Sequence, residues 1–240
     1  MRSGNPALRA TTFQNVSSYD STNAMSIQGT VNKTFVLLGL VVFCASLTWN
    51  DPEKFMPFLF PAVIGGFIVA LLTIFNKPWA PITSPVYAVL EGFFLGGISI
   101  VFERKYPGIV FQAVGLTFGT LFCLLMAYKS RWIKVTDNFR LGIVAATGAI
   151  FLLYIVNLVM SFFGSGISFI HESGTAGIIF SLVVVAIAAL NLVLDFDFIE
   201  RGARSGAPKY MEWYGAFGLL VTLVWLYLEI LRLLSKTRRR

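Results

Sequence analysis

Hydrophobic positions along the chain gather into seven runs: Thr34–Trp49, Phe55–Phe75, Tyr87–Phe102, Val110–Tyr128, Leu141–Phe163, Thr175–Phe198 and Tyr214–Leu234. Turn-forming residues separate them: Asn50-Asp51-Pro52, Asn76-Lys77-Pro78, Tyr106-Pro107-Gly108, Gly164-Ser165-Gly166 and the stretch from Gly202 to Pro208. A helix needs about 20 residues to cross roughly 30 Å of hydrocarbon. Only helices satisfy every backbone group along such runs in lipid. The last four runs meet that length, while the first and third fall short unless their flanks join. The pattern predicts an all-α polytopic membrane protein, a bundle of seven transmembrane helices whose short connections make neighbours antiparallel. Ser84-Pro85 reads as an N-cap followed by a first-turn proline. Residues 1–30 are polar, without the apolar stretch of a cleavable leader, and are expected to form a disordered tail. The membrane domain then occupies 31–235 and a basic tail 236–240.

Composition agrees. The chain has 240 residues, of which 56% are hydrophobic and 13% charged, with 23 Phe. A soluble domain carries roughly a quarter charged residues, so a soluble enzyme and a disordered chain are both excluded. The net charge of +7 sits between the apolar runs and at the termini. No aromatic-interleaved basic face exists, which excludes nucleic acid as a partner. With the N-terminus inside, the connecting loops hold eight Lys and Arg on the inner side against three outside, which favours a cytoplasmic N-terminus in the cell membrane. The basic C-terminus opposes this, since seven crossings would leave it outside; either it is tolerated there or one segment is re-entrant.

Chemistry is sparse. Cys44 and Cys123 lie inside apolar runs and read as small buried hydrophobes. One histidine, His171, and two cysteines are too few for a zinc or iron site, so no metal centre and no cofactor are expected. His171 and Glu172 are assigned no role beyond solvation. Residues 164–168, Gly-Ser-Gly-Ile-Ser, form neither a nucleophile elbow nor a dinucleotide loop, and no phosphate-binding loop occurs. The chain is not expected to be an enzyme.

Charged residues within the runs each need a reason, because a carboxylate at mid-membrane costs about 2.5–3.5 kcal/mol or more. They are Glu91, Asp195, Asp197, Glu229 and Arg232. Asp195 and Asp197 differ by about 200° around a helix and cannot share a face. Behind Asp195 run Asn191, Ala188, Val184 and Ser181, a polar or small stripe suited to burial against protein. Asp197 instead has Arg201 at i,i+4 and is expected to form an ion pair. Glu91 precedes Gly92 and Gly96, a spacing that lets helices approach closely, and its role stays open between packing and function. Gly115 and Gly119 repeat the spacing and are expected to pack against a neighbour. Asn157 and Thr222 are explained by interhelical hydrogen bonds, Glu229 and Arg232 by a snorkelling pair. The five tryptophans read as an interfacial belt.

Several stretches together resemble the Bax inhibitor-1 family of seven-helix membrane proteins. Glu91-Gly92-Phe93-Phe94-Leu95-Gly96 is similar to its EGxxLG stretch. Gln112-Ala113 with Thr117 and Phe122 resembles its QAxxxT helix, and Val156-Asn157-Leu158 its VNL. The helix from Gly177 to Glu200 resembles the one that ends in an aspartate motif, and Tyr214–Leu234 its closing helix. These motifs cover about residues 80–235; the N-terminal third is similar in hydropathy alone. The resemblance implies a pH-sensitive calcium leak, in which interior aspartates of the sixth and seventh helices share a proton and lock the pore. Asp195 takes the first aspartate's position, and the second falls on Thr222. Proton sensing would then rest on burial of Asp195 or on another carboxylate such as Glu91. The ion pathway implied comprises Asp195, Glu91, Asp197, Asn191, Asn157 and Thr222, with the lipid bilayer and calcium or other cations as partners. The alternative is a non-conducting regulator that binds membrane proteases or other membrane proteins.

Overall fold

A computed structural model describes residues 24–164 and 174–239. The expected N-terminal tail up to residue 23, the stretch 165–168 and the loop holding His171 and Glu172 lie outside the described residues. Seven helices are long and apolar enough to cross a membrane. Their main helices are α1 (Ile27–Asn50), α2 (Leu59–Phe75, within the span Pro52–Phe75), α3 (Ala80–Lys105, within the span Lys77–Lys105), α4 (Ile109–Lys129), α5 (Asp137–Phe162), α6 (Thr175–Arg204) and α7 (Met211–Arg238). A short helix, Pro52–Phe55, and a 3₁₀ turn, Met56–Phe58, lead into α2. The described residues contain no strand, only an isolated bridge between Ala24 and Pro208.

α1 and α3 reach spanning length because polar residues continue both helices at their ends. Ser26 caps α1, its hydroxyl accepting from the Gly29 amide at 2.9 Å. The same hydroxyl and the Ser26 amide donate to Glu212 of α7, each at 2.9 Å, and Lys33 pairs with that carboxylate. Glu212 is only 2% exposed, so its charge is met by three donors rather than by water. The Met25 amide adds a bond to the Ala207 carbonyl at 2.7 Å. The start of α1 is thereby sewn to the α6–α7 turn. At α3 the expected boundary at Ser84-Pro85 is incorrect. The helix begins after a 3₁₀ turn, Lys77–Trp79, with Pro81 in its first turn and Pro85 inside. Ser84 is fully buried, its hydroxyl donating to the Trp213 carbonyl at 3.4 Å. Tertiary burial overrides the local stop signal.

α7 is the central post, packed against α6, α1, α4 and α3. Leu220, Leu226 and Leu231 of α7 are fully enclosed, joined by Leu37 of α1, Ala88 of α3, Ile109 of α4 and Leu192 of α6. α1 and α3 approach most closely, as the glycine spacing requires. A Cβ at Gly92 would meet the Val41 carbonyl and the Cys44 Cβ at 2.7 Å, and one at Gly96 would meet the Thr48 Cβ at 2.7 Å. Gly115 and Gly119 do not repeat this. A Cβ at either would meet nothing within 4 Å, because α4 turns Ala113 and Thr117 inward and presents these glycines outward. Cys44 is buried as expected, whereas Cys123 faces outward on α4.

The seven helices alternate in direction, so one face gathers the start of α1 and the α2–α3, α4–α5 and α6–α7 turns. We call this the first face. The second face carries the α1–α2 and α3–α4 turns and the end of α7. There Arg238 donates to the Pro107 carbonyl at 2.7 Å and to the Gln112 side chain at 3.0 Å. Lys236 does not lie in a loose basic tail. α7 continues through it, and its buried ammonium donates to the Gly177 carbonyl at 3.0 Å and the Ser181 hydroxyl at 2.8 Å.

Candidate functional site

A cavity of about 720 Å³ lies among α2, α3, α5, α6 and α7. Its walls are largely apolar, with Phe67 of α2, Phe94 of α3, Val144 of α5 and Phe217 of α7. Its polar groups converge from different helices: Glu91 and Tyr87 from α3, Asn191 and Asp195 from α6, and Thr222 from α7. Toward the first face it is lined by Arg140, Arg201 and Tyr214.

Asp195 occupies this cavity because the small stripe behind it packs against the bundle. Ser181, Val184 and Ala188 are all buried. One carboxylate oxygen, Oδ2, is shut away from solvent without a hydrogen-bond partner among the described residues. The Thr222 hydroxyl donates to the Gly218 carbonyl at 3.2 Å and lines the same cavity as the Asp195 carboxylate. Thus the two positions that the family resemblance pairs do share one cavity, as a carboxylate and a hydroxyl. One turn back, the Asn191 amide donates to the Thr147 hydroxyl at 2.8 Å and the Ile187 carbonyl at 2.9 Å. Glu91 lies one turn after Tyr87 on α3, and both side chains line the cavity. It faces α2, where a Cβ on Gly66 would stand 3.6 Å from its Oε2.

Asp197 has a different setting. Its Oδ2 accepts from Arg140 of α5 at 3.0 Å and from Arg201 at 2.8 Å. The i,i+4 partner follows from the sequence; Arg140, 57 residues away, does not. Asn157 lies on α5 outside the cavity lining.

Sequence reasoning missed a row of side chains on α5. Arg140, Thr147 and Tyr154 stand seven residues apart, so they share one helix face within about 40°. Each bonds across to α6 or α7, reaching Asp197, Asn191 and Glu229 in turn. That sevenfold polar spacing was the available signal.

Glu229 corrects another expectation. It pairs with Arg232 at 2.8 Å, but it is 1% exposed and does not snorkel. Tyr154 donates to it at 2.9 Å and the Trp225 indole at 3.2 Å, so Trp225 is a bundle donor and not part of an interfacial belt. Between this cluster and the cavity lies a buried apolar layer that includes Val184, Ala188, Leu223 and Leu226. The cavity therefore does not continue openly to the second face.

The arrangement is a seven-helix bundle whose sixth helix carries an interior aspartate, one oxygen of it without a hydrogen-bond partner among the described residues, and whose seventh carries a hydroxyl at the same cavity. The sequence profile described as Bax inhibitor 1 like matches residues 5–239. The chain belongs to the Bax inhibitor 1 like family. The match extends through the N-terminal third, where the quoted motifs left only a similarity in hydropathy. No curated protein and no solved structure matches the chain. As a member of the Bax inhibitor 1 like family and a bundle of spanning helices, it is a multi-pass integral membrane protein.

Proposed function

We propose that this protein is a pH-sensitive cation leak channel, with calcium the favoured ion and Asp195 the charge at its constriction. The observation that supports this reading most directly is the buried Asp195 Oδ2, which has no hydrogen-bond partner among the described residues although it borders a cavity large enough for a hydrated ion. An isolated carboxylate is costly in such a setting. A passing cation would offset that cost at the moment of occupancy. The cavity offers oxygen ligands from Asp195, Glu91, Asn191 and Thr222, which suit a hard cation. Two carboxylates are too few for a tight calcium cage of six to eight oxygens, in keeping with passage rather than storage. The layer of Val184, Ala188, Leu223 and Leu226 must part for conduction, which makes the described arrangement a closed one.

The proposed membrane is the plasma membrane, with the first face cytoplasmic. Its connecting loops carry eight basic residues, while those of the second face carry Lys54, Arg104 and Lys105.

Purified protein in vesicles loaded with a calcium-reporting dye tests the reading. The native chain should conduct, and Asp195→Asn should lower the flux about tenfold. Equal flux in the variant would remove Asp195 from the mechanism. Absence of flux from pH 5 to 8, together with a stable partner on affinity capture, would favour the non-conducting regulator that binds membrane proteases or other membrane proteins.

A further inference from the structure

A second groove, of about 760 Å³, opens between α1 and α4, which hardly touch; α6 and α7 complete its lining. Its long walls are apolar, with Phe35 and Leu38 from α1 and Phe118, Leu121, Phe122 and Leu125 from α4. Toward the first face the lining changes to Lys129, Arg131 and Lys134. None of these three cations pairs with a carboxylate among the described residues. The acids at that end are already engaged: Glu200 by Tyr128 and Arg204, Asp197 by Arg140 and Arg201. The rim therefore presents uncompensated positive charge.

Two further observations define what fits. From Ile27 to Leu38 the groove follows α1 for about 16 Å at 1.5 Å per residue, close to the ~15 Å hydrocarbon depth of one leaflet. Trp132, 86% exposed, stands between the basic residues at the level where interfacial tryptophans lie. Arg131 occupies the left-handed position that ends α4, with φ of 57°. Glycine is the usual residue there. The Trp132 and Ile133 amides both return to the Ala127 carbonyl around it. The turn thus carries a guanidinium at a position where backbone strain favours glycine.

We infer that this groove binds an anionic phospholipid of the first-face leaflet. Its phosphate sits among Lys129, Arg131 and Lys134, and an acyl chain lies along the α1–α4 walls. The charge selects the headgroup and the depth selects the chain; a soluble anion would leave the phenylalanine-lined walls unfilled, and a zwitterionic lipid would bring its own ammonium charge against the three cations.

Full-length protein in phosphatidylcholine vesicles, doped with phosphatidylglycerol carrying a photoreactive acyl chain, tests the assignment. Labelling should fall on α1 and α4 peptides and exceed that from photoreactive phosphatidylcholine at least fivefold. The Lys129→Gln, Arg131→Gln, Lys134→Gln triple variant should lose that excess, whereas Lys54→Gln, Arg104→Gln, Lys105→Gln on the second face should retain it. Leu121→Trp, which fills the groove and leaves the charges intact, should also abolish labelling and serves if the triple variant does not fold. Equal labelling by the two lipids, labelling elsewhere, or full labelling of Leu121→Trp would overturn the inference. So would capture of a protein helix in the groove that excludes the lipid probe.

Discussion

Arg140 of α5 meets Asp197 of α6 at 3.0 Å, and Arg201 meets the same oxygen at 2.8 Å. Two residues away on that helix, Asp195 keeps an oxygen with no donor among the described residues. The helical repeat separates the two carboxylates by more than half a turn, so one closes the mouth of the cavity with cations while the other lines its interior.

Arg140→Gln is expected to weaken the attachment of α5 without unfolding the chain, because Asp197 retains Arg201. The loss should be about 1 kcal/mol, as for a partly exposed ion pair, or a fall in Tm of roughly 2–4 °C. Asp197→Asn should cost more, since it removes the negative charge that two guanidinium groups share. Thermal unfolding in detergent measures both. In the vesicle assay Arg140→Gln should increase calcium flux several-fold by removing positive charge from the mouth.

Acidification should reduce cation flux. Protonating Asp195 or Glu91 discharges the oxygens that face the cavity and removes their attraction for a cation. Flux in the native chain should decline between pH 8 and pH 5. The slope should flatten in Asp195→Asn and flatten further when Glu91→Gln is added. A rise on acidification in the native protein would contradict this sign.

The two glycine pairs make a direct contrast. Gly92→Ala places a methyl 2.7 Å from the Val41 carbonyl, which belongs to backbone and cannot swing aside. Overpacking of this kind costs about 1–3 kcal/mol. Gly115→Ala meets open space and gains helix propensity of up to about 1 kcal/mol. Melting temperatures should move in opposite directions.

Glu229→Ala removes the acceptor shared by Tyr154, Trp225 and Arg232. About 2 kcal/mol should be lost as the tyrosine and indole donors are left unsatisfied in the bundle. Glu229→Gln keeps a carbonyl acceptor and should recover about half. Equal effects of the two substitutions would show that charge rather than hydrogen bonding stabilises the cluster.

Spanning helices were legible because lipid permits one solution for a long apolar run, and the runs name themselves. Their true ends were harder to read. Ser26, Lys33 and Glu212 are polar in sequence and look like loop residues, yet they satisfy one another at the start of α1. GxxxG spacing gives a distance along a helix but not the face that meets a neighbour, so Gly92 and Gly115 looked alike and differ. Asp197 with Arg201 was readable because both lie on one helix. Arg140 and Tyr154 were not, because their partners arrive through tertiary contact. Asp195 was legible as an interior carboxylate from the small stripe behind it; Thr222 opposite it was legible through the family resemblance, not from helix geometry, which relates residues of one helix alone.

α5 is the least enclosed of the seven spans, with 11% of its apolar window buried, and it packs chiefly against α6. Its bonds at Arg140, Thr147 and Tyr154 fasten it like buttons along a single edge. Such a helix is the first to come away on warming or at high ionic strength. Its departure would turn the Asp195 chamber into a cleft open sideways to acyl chains, while the seam of α1, α3 and α7 stayed shut.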